Sequence, residues 1–372
     1  MQKTNLILTA VALSAGLCSL HAQYNIAPLV SFGGDGWLAP GEGGYTYLGT
    51  GNLERGLAYG NSQLYLVSRN GGSFVRRLDA LTGADLGSPL SVAGISGGTF
   101  ALNMVGVSGD GAIYAGNLTT QSTTSPYKVY RWADNAATPT VAYSGNPLAG
   151  SRVGDNLALI GSGINTRVAA GFNNSPSVAG NNSYTIVDTT AGTATTVAFT
   201  GTPPAAGDFR LGITFTDDSH VLGTQGGGVG TTLRYSSFSG TAGSLLGSPV
   251  LAESNAERLL GYTVLNGVPI LAAQSTGDSA MRIYDLTDPL NPVLLLTANN
   301  TSGTLSGNGN GTGAVAWGPA IANPDGTATA TLYGMSSNQG IQAFLVTIPE
   351  PASMSVFALG LTALLLGRRQ RA

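Results

Sequence analysis

Between its two ends the chain alternates short apolar runs with turns, and no helical period longer than a turn or two interrupts them. The runs are rich in β-branched and aromatic residues. The turns carry Gly60-Asn61, Gly109-Asp110-Gly111 or Asp217-Asp218, of the kind that mark hairpins. The pattern recurs at about 50 residues. Six segments align on a Gly or Ala that opens a small apolar run, beginning at Arg55, Met104, Arg152, Arg210, Arg258 and Gly313. Each shows a first strand of small residues, a turn, a more apolar strand, an alternating strand such as Met281 to Leu286, and a last strand. Four-stranded units repeated radially predict an all-β propeller, with small residues where the first strands converge on a crowded axis. Six blades is the favoured count. The sixth unit lacks a fourth strand, because Phe344 to Val346 runs into the C-terminal tail. The stretch "NIAPLVSFGG" from Asn25 is expected to supply it and close the ring, removing exposed sheet edges. "WLAPGEGGYTYLG" from Trp37 has no place in six units, so seven blades is the alternative.

The ends follow another pattern. Lys3, an apolar stretch from Leu6 to about Leu20 and then Leu20-His21-Ala22 give the charged, apolar and small-residue order of a secretory signal peptide over residues 1–22. Leu17 before Cys18 argues against a lipid-attachment cysteine, whose site wants a small residue there. At the other end, Ala352 to Gly367 holds 16 residues without charge. As a helix they would span about 24 Å, short for a membrane crossing. Arg368, Arg369 and Arg371 follow at once and would stay on the cytoplasmic side, agreeing with an exported N-terminal body. Pro349 and Pro351 would end such a helix at the membrane face and leave an extended segment before it.

Pro349-Glu350-Pro351, the apolar stretch and the arginines together resemble the PEP-CTERM sorting signal of Gram-negative bacteria, with Ile348 where Val is frequent. The resemblance covers about the last 26 residues. It implies a C-terminal transmembrane helix, removal of the tail by an exosortase-type membrane protease, and association with exopolysaccharide and biofilm systems. The expected organisation is a signal peptide (1–22), a propeller (23–347) and a sorting tail (348–372). The protein would be held in the inner membrane before processing, then released to the cell surface or extracellular matrix. Within the body, "RRLDALTGADLG" resembles a turn of quinoprotein-like propellers, and "RIYDLTDPLNPVLLL" a repeat of bacterial surface propellers. "ISGGTFALNMVGVSGDGAIYAGNLTT" with "YKVYRWAD" resembles an exported bacterial family of unknown function. The cofactor residues of quinoproteins have no counterpart here, so no quinone is implied.

Composition narrows the chemistry. Without its two end segments the chain keeps 12 of its 16 basic and 18 of its 19 acidic residues, a net charge of −6, which does not suit a nucleic-acid partner. Cys18 is the only cysteine, so a mature chain has no disulfide and no thiolate metal site. His220, the one histidine beyond the leader, stands at a turn and cannot build a zinc site or a serine-hydrolase relay in this setting. The glycine-rich "GSG" at Gly161 and "SGNGNGTG" at Ser306 precede no helix, as a phosphate cradle would require. Asp110, Asp134, Asp155 and the pair Asp217-Asp218 could bind calcium through oxygen, although turn capping is the favoured reading of them. No catalytic residue and no obligatory cofactor are expected.

One pattern rises above this background. Arg55, Arg152, Arg210 and Arg258 each sit just before a first strand, with Asn103 and Gly313 near the same place in the other units. If those strands line the axis, four arginines ring one mouth. Glu54 and Glu257 adjoin two of them, and Asp208 lies two before a third. Such a ring suits an anion or acidic glycan, because guanidinium matches a carboxylate, or else it links blade to blade. The expectation is a non-catalytic binding or scaffold protein, plausibly for extracellular polysaccharide. The alternative is a propeller enzyme, a glycan lyase or hydrolase or a lactonase-like enzyme, acting on the same polymer.

Overall fold

A computed structural model describes residues 24–226, 230–302 and 305–349. Pro349 is the last of these, so the leader, Glu350, Pro351, the apolar stretch and Arg368, Arg369 and Arg371 lie outside the described residues. Among the described residues no helix is long and apolar enough to cross a membrane.

The fold is a six-bladed β-propeller. The innermost strands are Glu54–Gly60, Phe100–Val107, Ala158–Ile160, Gly212–Asp217, Glu257–Leu265 and Gly313–Ala322. Each is paired on one side only, with the next strand of its own blade, in antiparallel hairpin order. The hairpin turns obey local chemistry. Asn61 and Ser62 both take positive φ, as do Asn266 and Gly267, the backbone a two-residue turn needs to match strand twist.

There is no single central core. Six apolar clusters fill the six gaps between neighbouring blades. In the second strand of the first blade, Leu64 and Leu66 face the gap to the sixth blade, whereas Tyr65 and Val67 face the gap to the second. Successive side chains of a strand point to opposite faces, and here both faces are covered. Second strands therefore read as unbroken apolar runs.

The N-terminal strand closes the ring. Asn25–Pro28 pairs antiparallel with Phe344–Thr347 of the last strand, as the sequence predicts. Trp37–Leu38 adds to the other end of that strand, opposite Gln342 and Ile341, and Tyr47 and Leu48 are buried in the gap beneath it. The stretch from Trp37 thus wedges the seam between the first and sixth blades and makes no seventh blade. Two other blades also depart from four regular strands. The first has three, and its outer edge continues through the bridge Leu78–Asp85 and the bond from Leu90 N to Val75 O. The fourth gains an extra outer strand, Ala198–Phe199, running parallel to Ala242–Gly247.

Crowding at the axis explains the small residues. A Cβ on Gly56 would lie 2.7 Å from Met104 Cα, and one on Gly212 would lie 2.5 Å from the Arg258 carbonyl oxygen. Both obstacles are backbone and cannot step aside. Gly212→Val is therefore expected to destabilise the protein by about 2–3 kcal/mol in denaturant unfolding. Gly49→Ala, whose nearest neighbour would be 3.9 Å away, should stay within about 0.5 kcal/mol. Equal effects of the two would refute axial crowding.

Candidate functional site

The first strands begin at one mouth of the axis, and their bulges decide which way the side chains there point. Pairing slips between Glu54 and Leu57, between Phe100 and Met104, and between Glu257 and Leu259. Arg55, Asn103 and Arg258 fall inside those slips. A bulged residue leaves the strict alternation between faces and can be re-aimed, which is why bulges recur beside binding sites. Arg152 and Arg210 reach the same region from the segments just before their strands.

A cavity of about 170 Å³ opens here, lined by Arg55, Arg152, Arg210, Asp155, Phe100 and Thr312, among others. Three of the four predicted arginines thus share one cavity. Arg258 stands beside it, under the loop that carries Gly311, with Nη1 donating to Thr276 Oγ1 at 3.1 Å. Its Nε is buried and meets no partner among the described residues. Asn103, in the arginine's place in the second blade, accepts from Arg55 Nε at 2.8 Å and donates to the Gly154 carbonyl at 2.6 Å. It ties three blades together.

The acidic partner is not one of the three neighbours suggested by the sequence. Glu54 accepts instead from the Asn338 amide at 2.5 Å across the closing seam. Asp208 pairs with Arg234 at 2.5 Å, and Glu257 accepts from the Tyr284 hydroxyl at 2.7 Å. Asp155, only 1% exposed, takes the role: its carboxylate meets Arg152 at 2.5 Å and Arg210 Nε at 3.1 Å. Burial works against its charge, but the two guanidiniums hold its pKa below the usual carboxylate range. Arg55 has no such partner. Burial, and then the nearby Arg69, push its pKa down to about 10. The lining therefore sets three guanidiniums against one carboxylate.

Sequence reasoning missed two contributors. Arg69, from the end of the second strand of the first blade, lies 3.5 Å from the centre of the Phe100 ring, and Arg55 lies 5.3 Å from it. One aromatic face thus helps to hold two cations. The glycine-rich loop at Ser306 also comes to this mouth through Asn310 and Thr312. It makes no helix, so it is not a phosphate cradle of the usual kind.

The carboxylates considered for calcium are scattered. Asp110 accepts from Ser108 at 2.5 Å, Asp134 caps the Ala136 amide at 2.8 Å, and Asp218 pairs with Arg167 at 2.5 Å. Asp217 holds Ser219 and the His220 ring, which stacks on Tyr235 at 5.5 Å. Among the described residues no three potential metal ligands come together.

The class defined by this ring of blades is the β-propeller. Within the chain, residues 41–219, from the segment before the first blade through the first strand of the fourth, match the model of DUF4623, a domain of unknown function. The structure is similar to a DUF4623 family protein from Bacteroides eggerthii, with a TM-score of 0.56 at 20% identity over 81% of this chain and 71% of that one. More distant are regucalcin, a calcium-binding protein from Agrobacterium tumefaciens (TM-score 0.47, 11% identity, 80% of this chain, 92% of that one), and the α-L-arabinofuranosidase arb93a from Fusarium graminearum (0.49, 10%, 79% and 92%). No curated protein matches the sequence.

Glu257 makes the body pH-sensitive. Its carboxylate is fully buried, with Arg282 Nε 3.6 Å away and Oε2 unpartnered among the described residues. Burial raises its pKa to about 7, against the opposing pull of the Tyr284 hydroxyl and Arg282. A raised acid pKa means that the folded state holds a proton that the unfolded chain has released. Stability is then fully present below the unfolded value and is lost as pH climbs toward about 7. Unfolding midpoints of the native chain should fall over that window by the equivalent of about 2–3 kcal/mol, while Glu257→Gln flattens the profile. Parallel profiles for the two proteins would remove Glu257 as the cause.

Proposed function

We propose that this protein is an exported, non-catalytic propeller that binds a carboxylate-bearing glycan at the arginine mouth. The observation that supports this reading is the imbalance at that mouth. Arg55, Arg152 and Arg210 converge from three blades on one cavity with Asp155 as the one carboxylate among the described residues of its lining, and Arg258 waits beside it with a buried Nε that meets no partner among the described residues. Burying unpaired cations is costly, and an anion relieves that cost. Linkage between blades accounts for Asp155 with Arg210 but leaves Arg55 without a salt-bridge partner among the described residues. An enzyme acting on the same polymer would need a carboxylate free to take a proton, and Asp155 is held ionised by two guanidiniums, which favours binding over catalysis.

The chain's exit suits such a role. The last strand, Ile341–Ile348, ends where Ile348 pairs with Ala328, at the face of the first-to-second-strand turns. The arginine mouth lies at the opposite face, where that strand begins opposite Met335. In our reading the PEP-CTERM tail holds the body at the inner membrane until an exosortase-type protease removes it. A propeller so tethered turns its cationic mouth away from the membrane, toward the matrix.

Full-length protein titrated calorimetrically with oligogalacturonate is expected to bind, and binding should weaken as salt approaches about 1 M. Arg55→Ala should lower affinity about tenfold or more, the loss of one charge-assisted contact, while unfolding shifts by less than about 1 kcal/mol. No binding by the native chain, or full affinity in an Arg55→Ala protein that is destabilised, would leave the arginines as blade links only.

A further inference from the structure

A second cavity, of about 300 Å³, lies on the same axis beyond the arginine mouth. All six innermost strands wall it, through residues that include Tyr59, Asn156, Thr214, Tyr262, Ala314 and Trp317. None of its lining residues carries a charge, in contrast to the mouth behind it. An ion placed here would lack a compensating partner, so the ligand it suits is neutral.

The wall is nonetheless rich in hydrogen-bonding capacity. Each innermost strand is the inner edge of its sheet, paired on its outer side only. Backbone N–H and C=O groups along such an edge must be satisfied by something other than the sheet. Tyr59, Thr214 and Tyr262, which carry hydroxyls, are among the lining residues; Tyr59 stacks on Tyr333, and the Thr214 hydroxyl donates to the Phe215 carbonyl at 3.4 Å. Asn156 is already committed, with Nδ2 donating to the Leu211 carbonyl at 2.5 Å and Oδ1 accepting from the Leu157 amide at 2.6 Å. Trp317, another lining residue, is held by its own bond to the Gly261 carbonyl at 3.0 Å. Uncharged hydrogen-bonding groups beside aromatic rings suit a ligand that is apolar on its ring faces and polar around its rim. The volume is at the small end of ligand sites, which run from about 300 to 1,000 Å³.

We infer that this axial cavity is a binding site for a single neutral sugar unit, distinct from the anion site at the arginine mouth. One propeller would then engage an acidic residue at one end of its axis and a neutral hexose at the other.

The test follows Trp317 fluorescence in the full-length protein during titration with glucose, galactose and N-acetylglucosamine, with galacturonate as the charged control. At least one neutral sugar is expected to bind with a saturable change, and galacturonate should not compete for it. Ala314→Leu, which fills the cavity, and Tyr262→Phe, which removes one hydroxyl, should each weaken that affinity about tenfold at unchanged unfolding midpoint. Arg55→Ala should leave it intact, so failure of the arginine site and failure of this one are read separately. Absence of a saturable change with all three neutral sugars, or binding unaltered in both Ala314→Leu and Tyr262→Phe, overturns the assignment. Loss of neutral-sugar binding in Arg55→Ala would instead move it to the arginine mouth.

Discussion

The apolar filling between blades is the interaction on which the rest of this molecule depends. A four-stranded sheet has two faces and no interior of its own. Each blade here gives one face to the blade before it and the other to the blade after it, and the six gaps are the six cores. No blade can be complete unless the ring is complete, so the seam matters as much as any blade. At that seam Phe32, Leu38 and Leu48 pack with Leu57, Tyr333 and Ile341, and the Tyr333 hydroxyl donates to the Ala80 carbonyl at 2.8 Å. The N-terminal strand does more than cover an edge: it brings with it the wedge that fills the last gap.

Filling the gaps forces the inner strands together, and that crowding shapes the charged mouth. Ordinary side chains on a first strand point into one gap or the other. Arg55, Asn103 and Arg258 sit where pairing slips, which frees them from that alternation. Gly56 and Gly212 stand where neighbouring backbones nearly touch. The result is a cluster of guanidiniums held by Asp155, Asn103 and the Phe100 ring in place of a ring of matched ion pairs. Burial of Arg55, with Arg69 close by, makes holding its charge costly, and the fold carries that cost.

Much of this was legible in the sequence because a radial repeat writes itself as a period. The first-strand arginines, the hairpin turns and the stretch from Asn25 as closing strand all follow from that period. What was not legible depends on distance in space. Asp155 looked like one more turn carboxylate, since nothing in its neighbourhood of sequence says that Arg210, 55 residues later, will meet it. Glu54 and Glu257 seemed to be partners of the arginines beside them, but Glu54 accepts from the Asn338 amide and Glu257 from the Tyr284 hydroxyl, 284 and 27 residues away in sequence. The wedge at Trp37 belonged to no unit because it fills a seam that exists only once in a closed ring. The lost regularity of the first blade's outer strand has a similar origin, since Asp79 turns the chain early by accepting from the Leu81 and Thr82 amides.

The same closure bears on how such a body could be held at one point. Ile341–Ile348 is flanked on both sides, by Ala328–Ser336 with eight paired positions and by Asn25–Pro28 with four. A pull applied beyond Ile348 runs along the strand and loads those pairs together in shear, so they do not open one by one from an edge. The outer strands of other blades, such as Val293–Ala298, are paired on one side only. A tether joined to the strand sewn between the chain's beginning and its own blade spreads its load over pairs on both sides, where an outer strand of another blade has one side only. If the body binds polymer at the arginine mouth and is tethered beyond Ile348, as proposed, tension would run through the ring along that strand, and the closing strand would resist its opening.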